Sequence, residues 1–224
     1  APMNGLTRYG SRYRPLALVV GLIAIMAASC IGGHRQLRLV AAPSAGRAAA
    51  TAPIYGVYAG AGSHGVGGAA AFAAWSGVTP GQVLDFPATD SWPDVSGPAW
   101  LLAPRTGQGA RLEYSLPMMP ASAGYSLAAC GNGNYNRHWA MLGQNLVHAS
   151  LADTVVRPGW EFNGTWYPWS AAGRVGDFAQ CFRNIVTAMR AVPGQHFTFD
   201  WNPNLGAGAF PAEQAYPGDS YVDY

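Results

Sequence analysis

Residues Arg157 to Trp169 read RPGWEFNGTWYPW, and the parsing of the whole chain turns on this stretch. Its one carboxylate is Glu161, set among four large aromatic residues, Trp160, Phe162, Trp166 and Trp169. The run Val155 to Trp160 predicts a strand, with Glu161 at its end and a glycine turn directly after. In parallel α/β folds the loops that follow the strands form the chemical face. Aromatic rings stack on sugars, while an asparagine and a carboxylate bond hydroxyls, so these residue types suit a polysaccharide cleft. In the simpler structural alternative the aromatics are core and Glu161 pairs with Arg157. So many aromatics around a single acid favour the cleft, because a general acid needs a desolvating setting.

Working outward, short apolar runs alternate with longer amphipathic ones. Ile54 to Tyr58 predicts a first strand, followed by a glycine-rich turn over Ala59 to Gly68 and an alanine-rich helix over Ala69 to Trp75. Gln82 to Phe86 and Arg111 to Leu116 predict a second and a third strand. Tyr135, Trp139, Leu142 and Leu146 fall at helical spacing and mark one stripe of a helix. A second stripe joins Phe178, Cys181, Phe182, Ile185 and Met189, in a helix expected to start at Asp177 with Gln180 as its capping-box partner. Phe197 to Trp201 predicts a fifth strand, and Tyr221 to Tyr224 the opening of a sixth. Strand and helix in alternation, without hairpin signals, imply a parallel sheet.

Composition narrows the function. Of 224 residues, 50% are hydrophobic and 12% aromatic, enough for a core. The net charge of +2 comes from Arg8, Arg12 and Arg14 near the N-terminus. Without them the chain is near neutral, so nothing argues for nucleic-acid binding. His64 has no partners at metal-ligand spacing, and no metal or cofactor is expected.

Arg157-Pro158, Glu161, Asn163-Gly164, Trp166 and Trp169 resemble, in type and spacing, the acid/base segment of glycoside hydrolase family 26, the β-mannanases and related β-glycanases. The resemblance implies a (β/α)8 TIM-type barrel over residues 54–224. Strands one to five and the start of a sixth would be present and the rest would lie beyond Tyr224. It implies a retaining hydrolase of a β-linked polysaccharide or oligosaccharide, with Glu161 as general acid/base and Trp166 lining the sugar site. Trp160, Asn163, Trp169, Asp200 and Asn202 are further candidate cleft residues. The family's nucleophilic glutamate belongs to the seventh strand, so the 224-residue chain is expected to be incomplete and inactive by itself. Mannanases of the family usually carry histidine before the acid. This chain has Trp160, so the substrate expected is a β-glycan rather than mannan in particular. A non-catalytic carbohydrate-binding or cell-envelope protein with a degenerate barrel is the alternative.

The N-terminus reads as an export signal. Leu16 to Ala28, LALVVGLIAIMAA, is an uncharged run of thirteen residues behind three arginines. Residues 1–33 are expected to be a signal peptide or membrane anchor, and 34–53 a linker. Small residues before Cys30 resemble a lipoprotein cleavage site. Lipidation at Cys30, simple cleavage and a retained anchor all fit, and each takes the protein out of the cytoplasm. Export favours a disulfide between Cys130 and Cys181, the pair left once Cys30 belongs to the leader. Its rival is Cys181 as a small buried hydrophobe.

Overall fold

A computed structural model describes residues 54–206 and 208–224. The leader, the linker and Cys30 lie outside the described residues. Five parallel strands form one sheet in the order β1-β2-β3-β4-β5: Gly56–Val57, Gln82–Asp85, Arg111–Leu116, Val155–Pro158 and Thr198–Phe199. This order follows the chain without reversal. A doubly wound sheet would change direction at a switch point, so the winding is that of a barrel.

Alternation along the strands sorts the side chains onto two faces. Val83, Leu112, Tyr114, Leu116, Val156 and Phe199 are buried and face the helices. Gln82, Arg111, Glu113, Val155 and Asp200 line a cavity of about 410 Å³ on the inner face. Helices α1 (Gly62–Ser76), α2 (Trp92–Ser96), α3 (Ala99–Arg105), α4 (Leu127–Gly131), α5 (Asn136–His148) and α6 (Val175–Arg190) complete the layer. None of the helices among the described residues is long and apolar enough to cross a membrane. The expected stripes are the buried faces of α5 and α6: Trp139, Leu142 and Leu146 on one, Phe178, Cys181, Phe182, Ile185 and Met189 on the other.

Several boundaries differ from expectation. The turn expected over Ala59 to Gly68 is helical from Gly62, although Gly60, Gly62 and Gly65 repeat the spacing of a dinucleotide-binding turn. The amide of Gly62 at the helix start, where such folds bind a phosphate, donates instead to Asp85 Oδ2 at 3.0 Å. That carboxylate also pairs with Arg105 at 2.8 Å, both side chains being buried. A Cβ on Gly65 would stand 2.1 Å from the Gly60 carbonyl oxygen and 2.3 Å from the Arg105 guanidinium, so the close approach of the Gly60 backbone, with the ion pair beside it, requires glycine there.

Helix α6 starts at Val175, with no side-chain cap on its first amides. The expected capping box does not form because Asp177 already lies inside the helix, and Gln180 bonds Asn184 and Arg183. Residues Tyr221 to Tyr224 are a 3-10 turn ending at Tyr221 followed by extended chain. Tyr224 nevertheless takes its place in the ladder: its amide donates to Phe199 O at 3.2 Å and its carbonyl accepts from Trp201 N at 3.0 Å, the pattern of a parallel bridge. Cys130 of α4 and Cys181 of α6 form a disulfide, with Cα atoms 4.9 Å apart.

Candidate active site

Strand β4 ends at Pro158, two residues short of expectation, because Gly159 turns the chain at φ 60°. Glu161 follows at φ 53°, in the left-handed region that non-glycine residues seldom occupy. Two backbone bonds hold it there. Glu161 N donates to Asn202 O at 2.8 Å, and Gly164 N donates to Glu161 O at 3.0 Å. A strained residue at the chemical rim of a sheet points toward function. The half-buried carboxylate stands in the turn just past the C-terminal end of β4.

Trp166 is 53% exposed, and its indole N–H donates to Glu161 Oε2 at 3.0 Å. Its ring lies over Gly164, where a Cβ would meet the indole at 2.3 Å, so the Asn-Gly pair makes room for this tryptophan. Trp160 and Trp169 are only 6% and 1% exposed. The Trp169 indole N–H donates to Trp160 O at 2.9 Å, and its ring stacks on Tyr167 at 4.6 Å. Expected as a sugar contact, Trp169 is instead packed between Tyr167, stacked on it, and Trp160, tilted against it at 4.4 Å.

Asn163 was likewise expected in the cleft, yet both polar atoms of its side chain serve the fold. Asn163 Nδ2 donates to Asn204 O at 3.0 Å, and Asn163 Oδ1 accepts from Asn204 N at 2.7 Å. The residue therefore clamps the β4 loop to the segment after β5. Asn202 contributes its backbone carbonyl to the Glu161 turn. Arg157 does not pair with Glu161. Its guanidinium reaches Glu113 Oε1 at 3.3 Å and donates to Ser115 Oγ at 2.8 Å, while Glu113 also accepts from Gln82 Nε2. Asp200 lies on the same inner face. Burial, followed by the charge of Glu113, raises its carboxyl pKa to about 6, against the opposing pull of Arg157.

Three aromatic residues escaped the sequence reading. From Trp160 the rings continue to Phe86 beyond β2, at 5.2 Å, and from there to Tyr58 beyond β1, again at 5.2 Å. On the other side Trp160 meets Tyr167 at 5.2 Å. Period-two alternation from the inner-face Gln82 puts Phe86 on that same face, a signal available once the strand register is known.

Comparison with known proteins agrees with this layout. Residues 133–224 match the sequence model of glycosyl hydrolase family 26. Over 108 residues the chain is 32% identical to Endoglucanase H of Acetivibrio thermocellus, an alignment covering 45% of this chain and 12% of that protein. Two solved structures from Bacillus subtilis, the YdhT protein and the mannanase man26, each share 18% identity and a TM-score of 0.57. Each alignment covers 76% of this chain, with 62% of the former and 61% of the latter. At that identity the likeness shows the fold alone. The chain spans less than two thirds of the length of the relatives it matches.

Proposed function

Because the chain belongs to glycosyl hydrolase family 26, with the match lying over residues 133–224, we propose that Glu161 is the general acid/base of a retaining glycosidase acting on a β-linked polysaccharide or oligosaccharide. The observation that carries this reading is the Glu161–Trp166 pair. A carboxylate past the end of β4 has one oxygen, Oε2, occupied by an indole N–H whose ring is itself open to solvent. With Oε2 held, Oε1 is the oxygen that carries the proton to the departing glycosidic oxygen. In the second half of the reaction the same oxygen takes a proton from water. The exposed indole face of Trp166 supports the sugar ring.

A retaining mechanism needs a second carboxylate about 5–5.5 Å from the first, one that attacks the anomeric carbon. Glu113 is engaged by Arg157 and Gln82, and Asp200 follows the strand adjacent to the one carrying Glu161. We assign the nucleophile to neither, nor to any other described residue. The purified 224-residue chain is therefore expected to bind β-glycans without turning them over. The disulfide supports the further reading that the protein acts outside the cytoplasm.

The test is the stereochemistry of the first product, followed by proton NMR during hydrolysis of a β-glycan by the natural gene product. The β-anomer appearing first, with turnover lost in Glu161→Gln, is the expected result. Initial α-anomer would refute retention, and full activity in the variant would refute the assignment of Glu161.

A further inference from the structure

We propose that Tyr58 is a second sugar platform, placed apart from the one at Trp166, so that the cleft is built for an extended β-linked glycan rather than a single sugar unit. This rests on the glycosidase reading and extends it to the far side of the site.

The argument begins with the register of β1. Gly56 pairs with Gln82, and both line the inner-face cavity. Alternation then turns Val57 toward the helices and Tyr58 back to the inner face. Tyr58 stands just past the C-terminal end of its strand, on the rim that carries Glu161 beyond β4. Tyr58 is 55% exposed, and among the described residues its hydroxyl has no hydrogen-bond partner. It is also fixed in place. Its ring meets Phe86 edge to face at 5.2 Å, Phe86 meets Trp160 at 5.2 Å, and the Arg157 guanidinium covers Phe86 at 5.5 Å.

The result is one continuous aromatic ridge. It runs from Tyr58 through Phe86, Trp160 and Tyr167 to Trp166, the last step being 6.4 Å. Only its two ends, Tyr58 and Trp166, are exposed large rings; Trp160 is buried and Phe86 and Tyr167 are half-buried. Three rings separate the two ends along this series of contacts, which leads from the end of β1 to the loop after β4. Exposed Ile54 and Tyr55 do not share this role, because they precede β1 and lie at the opposite end of the strand. An exposed aromatic held rigidly by its neighbours loses little entropy when a ligand stacks on it, and an open hydroxyl at its edge can reach a sugar hydroxyl. Continuity with Trp166, which touches the Glu161 carboxylate, identifies the occupant as the same glycan chain.

The experiment measures affinity of the purified 224-residue chain for cello-oligosaccharides and manno-oligosaccharides of two to six units by titration calorimetry. Wild type, Tyr58→Ala, Tyr58→Phe and Trp166→Ala are compared, each checked for an unchanged melting temperature. Tyr58→Ala should weaken the longest oligosaccharides about tenfold, the scale of one lost ring contact, and leave the disaccharide unaffected. Tyr58→Phe should keep most of the affinity. Trp166→Ala should weaken every length. If Tyr58→Ala binds all lengths like wild type while Trp166→Ala does not, the second platform is refuted and the Glu161 site stands. If wild type binds no oligosaccharide of either series, both readings fall together.

Discussion

At the scale of single residues, the loop after β4 divides its tryptophans by task, and the division is testable. Trp166 is exposed and touches Glu161, whereas Trp169 is buried and props Trp160. Trp166→Ala should cost glycan affinity while leaving thermal stability nearly unchanged. Trp169→Ala should cost about 3–5 kcal/mol of stability, as expected for an emptied aromatic core site. Thermal unfolding with and without a β-glycan separates the two. A Trp166→Ala protein that unfolds as readily as Trp169→Ala would place both rings in the core.

Asp200 gives a pH signature. Its folded pKa of about 6 lies above its ordinary value of 3.8, so the native state holds a proton more tightly than the unfolded chain. Stability linked to this group is therefore present at low pH and is lost as pH rises from about 4 through 6. Asp200→Asn should raise the melting temperature at pH 7 and leave it unchanged near pH 4. A gain of equal size at both pH values would show that the effect is not ionisation.

Glu161 and Trp166 could be singled out together in the sequence because they lie five residues apart in one aromatic-rich loop. Tyr58 and Phe86 could not, since they join the site only through the register of strands distant in sequence. The bonds of Asn163 were not legible for a related reason. Nothing local reveals that Asn204 will occupy both of its polar atoms.

At the scale of elements, α5 and α6 were legible because their apolar stripes are long and regular. The short helices α2, α3 and α4 were not. They run five to seven residues, too few for a period to emerge, and Pro93 and Pro104 inside the first two read as breakers. The glycine-rich start of α1 failed for the opposite reason: local propensity predicts a turn, and the Asp85–Arg105 pair at its first amides overrides it. Between α4 and α6 the disulfide links residues 51 apart in sequence. In the chain-entropy treatment a loop of that length is worth about 4 kcal/mol. A Cys130→Ala, Cys181→Ala double variant should lose stability on that order, and a non-reduced peptide digest should recover the two cysteines in one cross-linked pair. Recovery of both as separate thiol peptides would remove the bond from this account.

At the scale of the whole molecule, a sheet that winds in one direction brings the ends of β1, β2 and β4 to one rim. There a contiguous line of aromatic rings runs alongside a single strained carboxylate. Parallel alternation was enough to predict the sheet. It could not separate barrel from open winding, because that depends on strand order, which no local pattern encodes. The central claim is that Glu161 delivers and removes the proton in glycoside cleavage. Azide rescue of Glu161→Ala in the natural gene product tests it most directly, using an aryl β-glycoside whose leaving group departs without acid and an unactivated β-glycan. Loss of the acid/base should slow hydrolysis of the unactivated glycan about 10²–10⁴-fold. Azide should restore turnover of the aryl glycoside and yield a β-glycosyl azide. Wild-type rates in Glu161→Ala, or a loss that azide leaves untouched on the activated substrate, would contradict the assignment.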